Sequence, residues 1–278
     1  MDLFAADRPL IMGILNVTPD SFSDGGLDQD EQQAIARALG MVEEGADIID
    51  VGGESTRPGS RRVAAPEQKR RVVRVIQRLR EALPGSIPIS IDTTLAEVAQ
   101  AALEAGAAIL NDVSAGRDDP GMFELAAERR VPLVLMHMQG TPETMQQCPH
   151  YADVVEEVRS FLLERAEAAQ ATGVRKGQIL IDPGIGFGKT REHNLALLAG
   201  LKLFVETGYP VLLGTSRKRF MGSLCQETEP RNVVGATCAT TSLGVAAGIR
   251  VFRVHDIRAN RQAADVAWAI LRAEKVFQ

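Results

Sequence analysis

Eight short apolar runs in this sequence each end on a residue that can carry charge or form hydrogen bonds. MGIL ends on Asn16, DII on Asp50, PISI on Asp92, AIL on Asn111, LVLM on His137, ILI on Asp182, VLLGT on Ser216 and VFRV on His255. Any one of them suits a helix cap or a turn, since Asp and Asn favour both. Eight at the same recurring place call for chemistry instead. Asp92, Asn111 and Asp182 together offer acceptors and donors, which inside a low-dielectric cavity can read the edge of a polar heterocycle. Arg253 and His255 stand two apart on one extended run, so both project to the same side. Arg57 sits beside Thr56 and just before Pro58 in a loop, and a guanidinium grips phosphate with a forked pair of hydrogen bonds. With the loop that starts at Asn16, these bases can surround a diphosphate. GTSRKRF places Ser216, Arg217 and Lys218 near a helix start, where backbone N–H groups and the Lys218 charge attract a carboxylate or phosphate.

Such residues must be held by the elements that carry them. Between the β-branched runs lie amphipathic segments such as EQQAIARALGMVEEGA and LAEVAQAALEAGA, apolar at helical spacing and ended by Gly or Pro. Alternating strands and helices require a parallel sheet, because each parallel neighbour needs a crossover. Eight such units in this length match a (β/α)8 TIM barrel, an α/β fold whose active site lies at the C-terminal ends of the strands. The polar run ends fall at those strand ends. One domain over residues 1–278 is expected, with no linker and no low-complexity segment. Two long βα loops, NVTPDSFSDGG with Phe22 and GGESTRPGSRR with Arg57, are expected to bind ligand, since long loops at that face more often bind than decorate.

Several familiar readings fail. IDPGIGFGKT resembles a phosphate-binding loop, but Pro183 stands where the first Gly is needed, and Lys189 stands where a dinucleotide fingerprint needs its third. The glycines are instead expected to form a pocket wall after Asp182, letting backbone and ligand approach closely. The chain of 278 residues is 45% apolar and 24% charged, with a formal charge of −5, which argues against non-specific nucleic-acid binding. The basic run QKRRVVRVIQRLR places Val72, Val73, Ile76 and Leu79 on one helical face, so its bases read as the solvated face. The uncharged stretch from 232 to 249 is too rich in Gly, Ala, Ser and Thr for a membrane span and reads as a buried helix packed against a sheet. Three cysteines without a C-x-x-C pair, and a start lacking positive charge, fit a cytoplasmic protein.

ILNVTPDSFSDGG, GGESTRPG, ISIDTT, NDVSA, LMHMQGTPETMQ, DPGIGFGK, GTSRKRF and RVHD, in this order and across nearly the whole chain, closely resemble the dihydropteroate synthases. The resemblance implies a barrel enzyme that joins para-aminobenzoate to hydroxymethyl-dihydropterin pyrophosphate and releases pyrophosphate. It implies that Asp92, Asn111, Asp182 and Lys218 hold the pterin with Arg253 near it. Asn16, Arg57, Arg253 and His255 would hold the pyrophosphate, Asn16 also binding Mg²⁺. Ser216 would receive the aminobenzoate carboxylate, with Thr56, Pro58, Phe22, Phe187 and Lys218 lining that subsite. It further implies a homodimer. The basic stretch APEQKRRVVRV departs from the family and is expected to bear on surface contacts rather than chemistry. A non-catalytic pterin-binding paralogue should have lost Arg57, Phe22 or Asn16, and all three stand. A methyl-transferring relative has no use for Arg57, Arg253 and His255 together.

Overall fold

The computed structural model describes residues 8–17 and 27–274. Phe22, with the rest of the stretch from 18 to 26, lies outside the described residues.

Eight strands, β1 Leu10–Asn16, β2 Ile48–Gly52, β3 Ile89–Asp92, β4 Ile109–Asp112, β5 Leu133–Met136, β6 Ile179–Asp182, β7 Leu212–Leu213 and β8 Val251–Val254, form one parallel sheet. Their order is β6-β5-β4-β3-β2-β1-β8-β7. The ends of this sheet meet through a parallel bridge between Ile181 and Val211 and a bond from Ile181 N to Pro210 O at 3.0 Å, which closes the barrel. Helices α1 Leu27–Glu43, α2 Ala65–Ala82, α3 Ala96–Glu104, α4 Gly121–Arg129 and α5 Val154–Ala171 follow the first five strands in turn. After β6 come α6 Arg191–Ala199 and α7 Leu201–Val205, after β7 come α8 Arg219–Cys225 and α9 Val234–Ala247, and α10 Ile257–Glu274 closes the order.

The two-residue period of a strand explains how the site is built. Facing outward, Ile11, Leu15, Ile49, Val51, Ile89, Ile91, Leu135, Ile181 and Phe252 join the helices in the main core. Facing inward, Leu10, Met12, Ile48, Ile109, Val134, Leu180, Leu212 and Val251 form a separate buried apolar cluster that plugs the barrel. Two residues further along their strands stand Asp50 after Ile48, Asn111 after Ile109, Asp182 after Leu180 and Arg253 after Val251. The interior thus changes from hydrocarbon to charge within one pleat. Strand register completes the row, pairing Asn16 with Gly52, Gly52 with Asp92 and Asp92 with Asn111.

Two helices differ from expectation. α9 is not buried all round: Thr237, Thr241, Gly244 and Val245 face inward while Leu243 is 67% exposed. Its close packing on the sheet holds, since a Cβ on Gly244 would stand 2.7 Å from the Phe252 ring. Small residues allow that approach, and the same smallness hid the one-sidedness of the pattern. In α2 the buried apolar residues are Ala65, Val72, Val75, Ile76 and Leu79, so Val75 joins the expected face, on which Val73 is only partly buried against the same core. Among the described residues no helix is long and apolar enough to cross a membrane.

Candidate active site

Arg253 is the hub. From β8 its Nε donates to Asp50 Oδ2 and its Nη2 to Asp92 Oδ2, both at 2.7 Å. Asp50 Oδ2 also accepts from Asn111 Nδ2 at 3.2 Å. Asp50 is fully buried, and its other oxygen, Oδ1, has no hydrogen-bond partner, so one acceptor remains for a ligand donor. Burial pushes the Asp92 carboxyl well above the usual range; Arg253 works against this and Asp50 adds to it. Asp50 was recognisable in the sequence as a polar strand residue, but its part in holding Arg253 and Asn111 was not.

Opposite stands Asp182, whose Oδ1 accepts from Gly184 N at 2.7 Å. Burial raises this carboxyl to about 6, against the backbone hydrogen bond and the charge of Lys218. Burial likewise lowers Lys218 to about 8, helped by Arg253 and opposed by Asp182 and Asp92. The Lys218 Nζ lies 3.9 Å from the centroid of the Phe187 ring, a cation–π contact. Phe187 belongs to the loop after β6, where Gly184, Gly186 and Gly188 all have positive φ. A Cβ on Gly186 would come within 3.0 Å of the Lys218 side chain, so this loop packs directly on Lys218.

Ser216 and His255 meet at the ends of β7 and β8. Ser216 Oγ accepts from the backbone N of His255 at 3.1 Å and lies 3.0 Å from its Nδ1. Burial, then Arg217, Arg253, Arg37 and Arg57, lower His255 to about 2, so at neutral pH the imidazole is uncharged among cations. Four guanidiniums acting on one ring describe a region suited to a polyanion. Arg37 of α1 is not among the residues that the sequence singles out, because nothing in local spacing connects it to β8.

Arg57 is exposed, with Pro58 beside it and Thr56 half-buried. Their loop is stitched at its base by Glu54, which accepts from Val63 N at 2.9 Å and Gln68 Nε2 at 3.0 Å. Gln68 in turn accepts from Thr93 Oγ1 at 3.0 Å, and Arg71 Nη1 donates to Gly53 O at 2.9 Å. The basic stretch of α2 is therefore not surface alone. Gln68 and Arg71 fall on the side turned toward the strand ends and anchor the Arg57 loop, while Arg70 stays exposed. At the loop tip, Gly59 N donates to Pro142 O at 2.9 Å.

Asn16 Oδ1 and Asp92 Oδ2 lie 3.6 and 3.8 Å from the point that a Cβ on Gly52 would occupy, so both oxygens border the space over Gly52. Among the described residues no group of three or more His, Cys, Asp or Glu could hold a metal ion. A single amide oxygen fits Mg²⁺ only as part of a shell completed by phosphate and water, which is the usual habit of that ion.

The model of the pterin-binding enzyme family matches residues 12–255. A dihydropteroate synthase of Mycobacterium leprae is 48% identical over 269 residues, covering 95% of this chain and 94% of the relative. Among solved structures, a Xanthomonas albilineans dihydropteroate synthase with 4-aminobenzoic acid superposes with a TM-score of 0.89 at 48% identity, covering 95% of this chain and 94% of that one. The same enzyme in complex with 7,8-dihydropteroate gives 0.86 at 45% identity over the same shares.

Proposed function

Since the chain belongs to the family of pterin-binding enzymes, we propose that this site makes dihydropteroate by joining para-aminobenzoate to hydroxymethyl-dihydropterin pyrophosphate. The chain is a transferase of folate synthesis. The observation that carries the assignment is the adjacency of two chemically different halves: a buried ring of Asp50, Asp92, Asn111 and Asp182, and a cluster of guanidiniums around His255. The first suits a heterocycle rich in donors, the second its departing diphosphate.

An arylamine is a weak nucleophile, so the C–O bond to pyrophosphate must be largely broken before attack. Cationic character then develops on the pterin methylene. Asp92 and Asp182 stabilise the electron-poor ring with charges already in place, while Arg57, Arg253 and His255 receive the leaving diphosphate. Asn16 would hold Mg²⁺ together with diphosphate oxygens, and the ion would neutralise part of the leaving charge. Ser216 takes the aminobenzoate carboxylate, with Thr56, Pro58, Phe22, Phe187 and Lys218 around the arene. No covalent intermediate on the protein is required. The whole chain serves as one pterin-binding barrel domain in the cytoplasm, a compartment supported by three free cysteines.

Pyrophosphate release by the purified protein tests the reading. Release should need both the pterin substrate and para-aminobenzoate, increase with Mg²⁺, and fall by about a hundredfold or more in Arg57→Ala, as when one transition-state donor is lost. Tight pterin binding without release would favour the non-catalytic paralogue.

Three shifted groups set a pH profile. Asp92 and Asp182 must both be ionised, and burial raises them to about 7 and about 6, so kcat/KM should fall as pH drops through that range. Lys218 must be protonated and titrates at about 8, so kcat/KM should fall above it. Lys218→Arg, charged at all accessible pH, should retain the acid limb and lose the alkaline one. An alkaline limb unchanged in that variant would assign it elsewhere.

A homodimer is supported by Leu243 of α9 and by Val266 and Ile270 of α10, exposed at 67%, 61% and 57% on two helices packed together. Large apolar side chains exposed on adjacent helices suit a subunit interface. Leu243→Glu combined with Val266→Arg should convert a dimer to a monomer in sedimentation velocity.

A further inference from the structure

Behind the loop after β6 lies a buried pair that no catalytic step above employs. Lys189 is 3% exposed and His137, at the end of β5, 7% exposed. The Lys189 Nζ is 2.9 Å from His137 Nδ1, 3.0 Å from Phe187 O and 3.4 Å from His137 O. An ammonium has three protons to donate and accepts nothing, so His137 Nδ1 is the acceptor and the ring proton sits on Nε2. Phe161 packs edge-on against the imidazole at 4.9 Å between centroids. A buried cation surrounded this way has little freedom to move.

What Lys189 holds is the main chain of the substrate-facing loop. Each stretch of that loop has its own tether: Gly186 N donates to Asn194 Oδ1 at 2.7 Å, Gln146 Nε2 donates to Gly186 O at 2.9 Å, and Tyr151 OH donates to Gly188 O at 2.8 Å. The carbonyl of Phe187 is left to Lys189. Phe187 in turn packs against Val113, Met136, Met138 and Met145 and presents its ring to Lys218.

We propose that Lys189, with His137 as its fixed acceptor, is a positioning residue for the arylamine subsite, setting the Phe187 ring by gripping its carbonyl. It acts mainly on the second substrate. The groups on strands β2, β3, β4, β6 and β8 that face the pterin keep their places without this loop carbonyl, and Lys189 reaches that half only through a minor charge effect on Asp182 and through the Phe187 contact with Lys218. The inference rests on the reading of Phe187 as a wall of the para-aminobenzoate subsite.

The test is steady-state kinetics with para-aminobenzoate varied at saturating pterin pyrophosphate, together with calorimetric binding of the pterin substrate alone. Lys189→Met should raise the KM for para-aminobenzoate by about tenfold, the size of effect a displaced binding group produces, with kcat within about threefold and pterin affinity within about twofold. His137→Asn, whose Oδ1 stands at the Nδ1 position, keeps an acceptor for Lys189 and should stay near the unmodified protein, whereas His137→Leu should follow Lys189→Met. This second pair decides the matter even if Lys189→Met does not fold. Equal losses in KM, kcat and pterin affinity, or His137→Asn and His137→Leu behaving alike, would overturn the inference. Phe187→Ala separates the two levels. If it raises KM while Lys189→Met and His137→Leu do not, the positioning role fails alone; if it leaves KM unchanged, the subsite reading fails and takes the inference with it.

Discussion

Arg253→Met is expected to reduce kcat/KM by about three orders of magnitude and to destabilise the fold by about 3–5 kcal/mol near pH 8. The catalytic loss arises because Arg253 joins both halves of the site. Its guanidinium touches Asp50 and Asp92 and bears on His255 within the diphosphate region. The stability loss arises because two buried carboxylates, fully and 94% removed from solvent, would keep their charge and lose its partner. The sign with pH follows from Asp92. Its folded pKa already lies above the ordinary value through burial, and Arg253 is the main force holding it down. Without Arg253 it rises further, so the deficit relative to the unmodified protein is complete above the new folded pKa and is lost as pH falls through the folded value that holds with Arg253 in place, the unfolded value being common to both proteins. Urea unfolding of both proteins at pH 8 and pH 5 should show the deficit shrinking at the lower pH. The same deficit at both would mean that the loss came from packing and not from stranded charge.

The second large effect is at Gly184. Its φ is +65°, and an added Cβ would lie 1.9 Å from the carbonyl oxygen of His137, which is backbone and cannot swing aside. Left-handed geometry alone costs a residue with a side chain about 1–2 kcal/mol. The overlap adds displacement of the whole turn, and with it Asp182, whose carboxylate is held by Gly184 N. Gly184→Ala should therefore weaken pterin binding by about a hundredfold, since a shift near 1 Å suffices for that. Gly85→Ala, with nothing within 4 Å of the added atom, is the matched control and should bind normally. Unimpaired pterin binding by Gly184→Ala would show that the loop yields more easily than its contacts require.

These two residues illustrate what local pattern reveals. Gly184 stood out because three glycines follow an aspartate at a strand end, and the close approach of that loop to its neighbours was legible from that alone. Arg253 and His255 were legible through their spacing of two. Asp50 was visible as a polar strand residue, yet its role depends on β8, 203 positions away along the chain. No periodicity carries such a separation. Arg37 belongs to the same class, since no local pattern marks it while its charge acts on His255. Gln68 and Arg71 were hidden differently. A basic, amphipathic helix looks the same whether its polar side meets water or the underside of a loop, and only the fold decides which. The barrel itself was plain because eight repeats of one pattern reinforce each other, whereas each of these residues is a single instance.

The step from hydrocarbon to charge within one pleat has a consequence for how the protein can change. Strand residues from Ile48 to Arg253 are committed by parity: one parity faces the helices, and the other fills the plug and, two residues on, lines the barrel mouth. A slip of a single residue in any strand would turn its carboxylate or amide into the helix layer and bring an outer aliphatic residue into the mouth. Chemistry and folding thus impose the same requirement on strand length, and a single-residue deletion within a strand violates both at once. Freedom to vary is left to the connections between strands and helices, where length has no parity to keep.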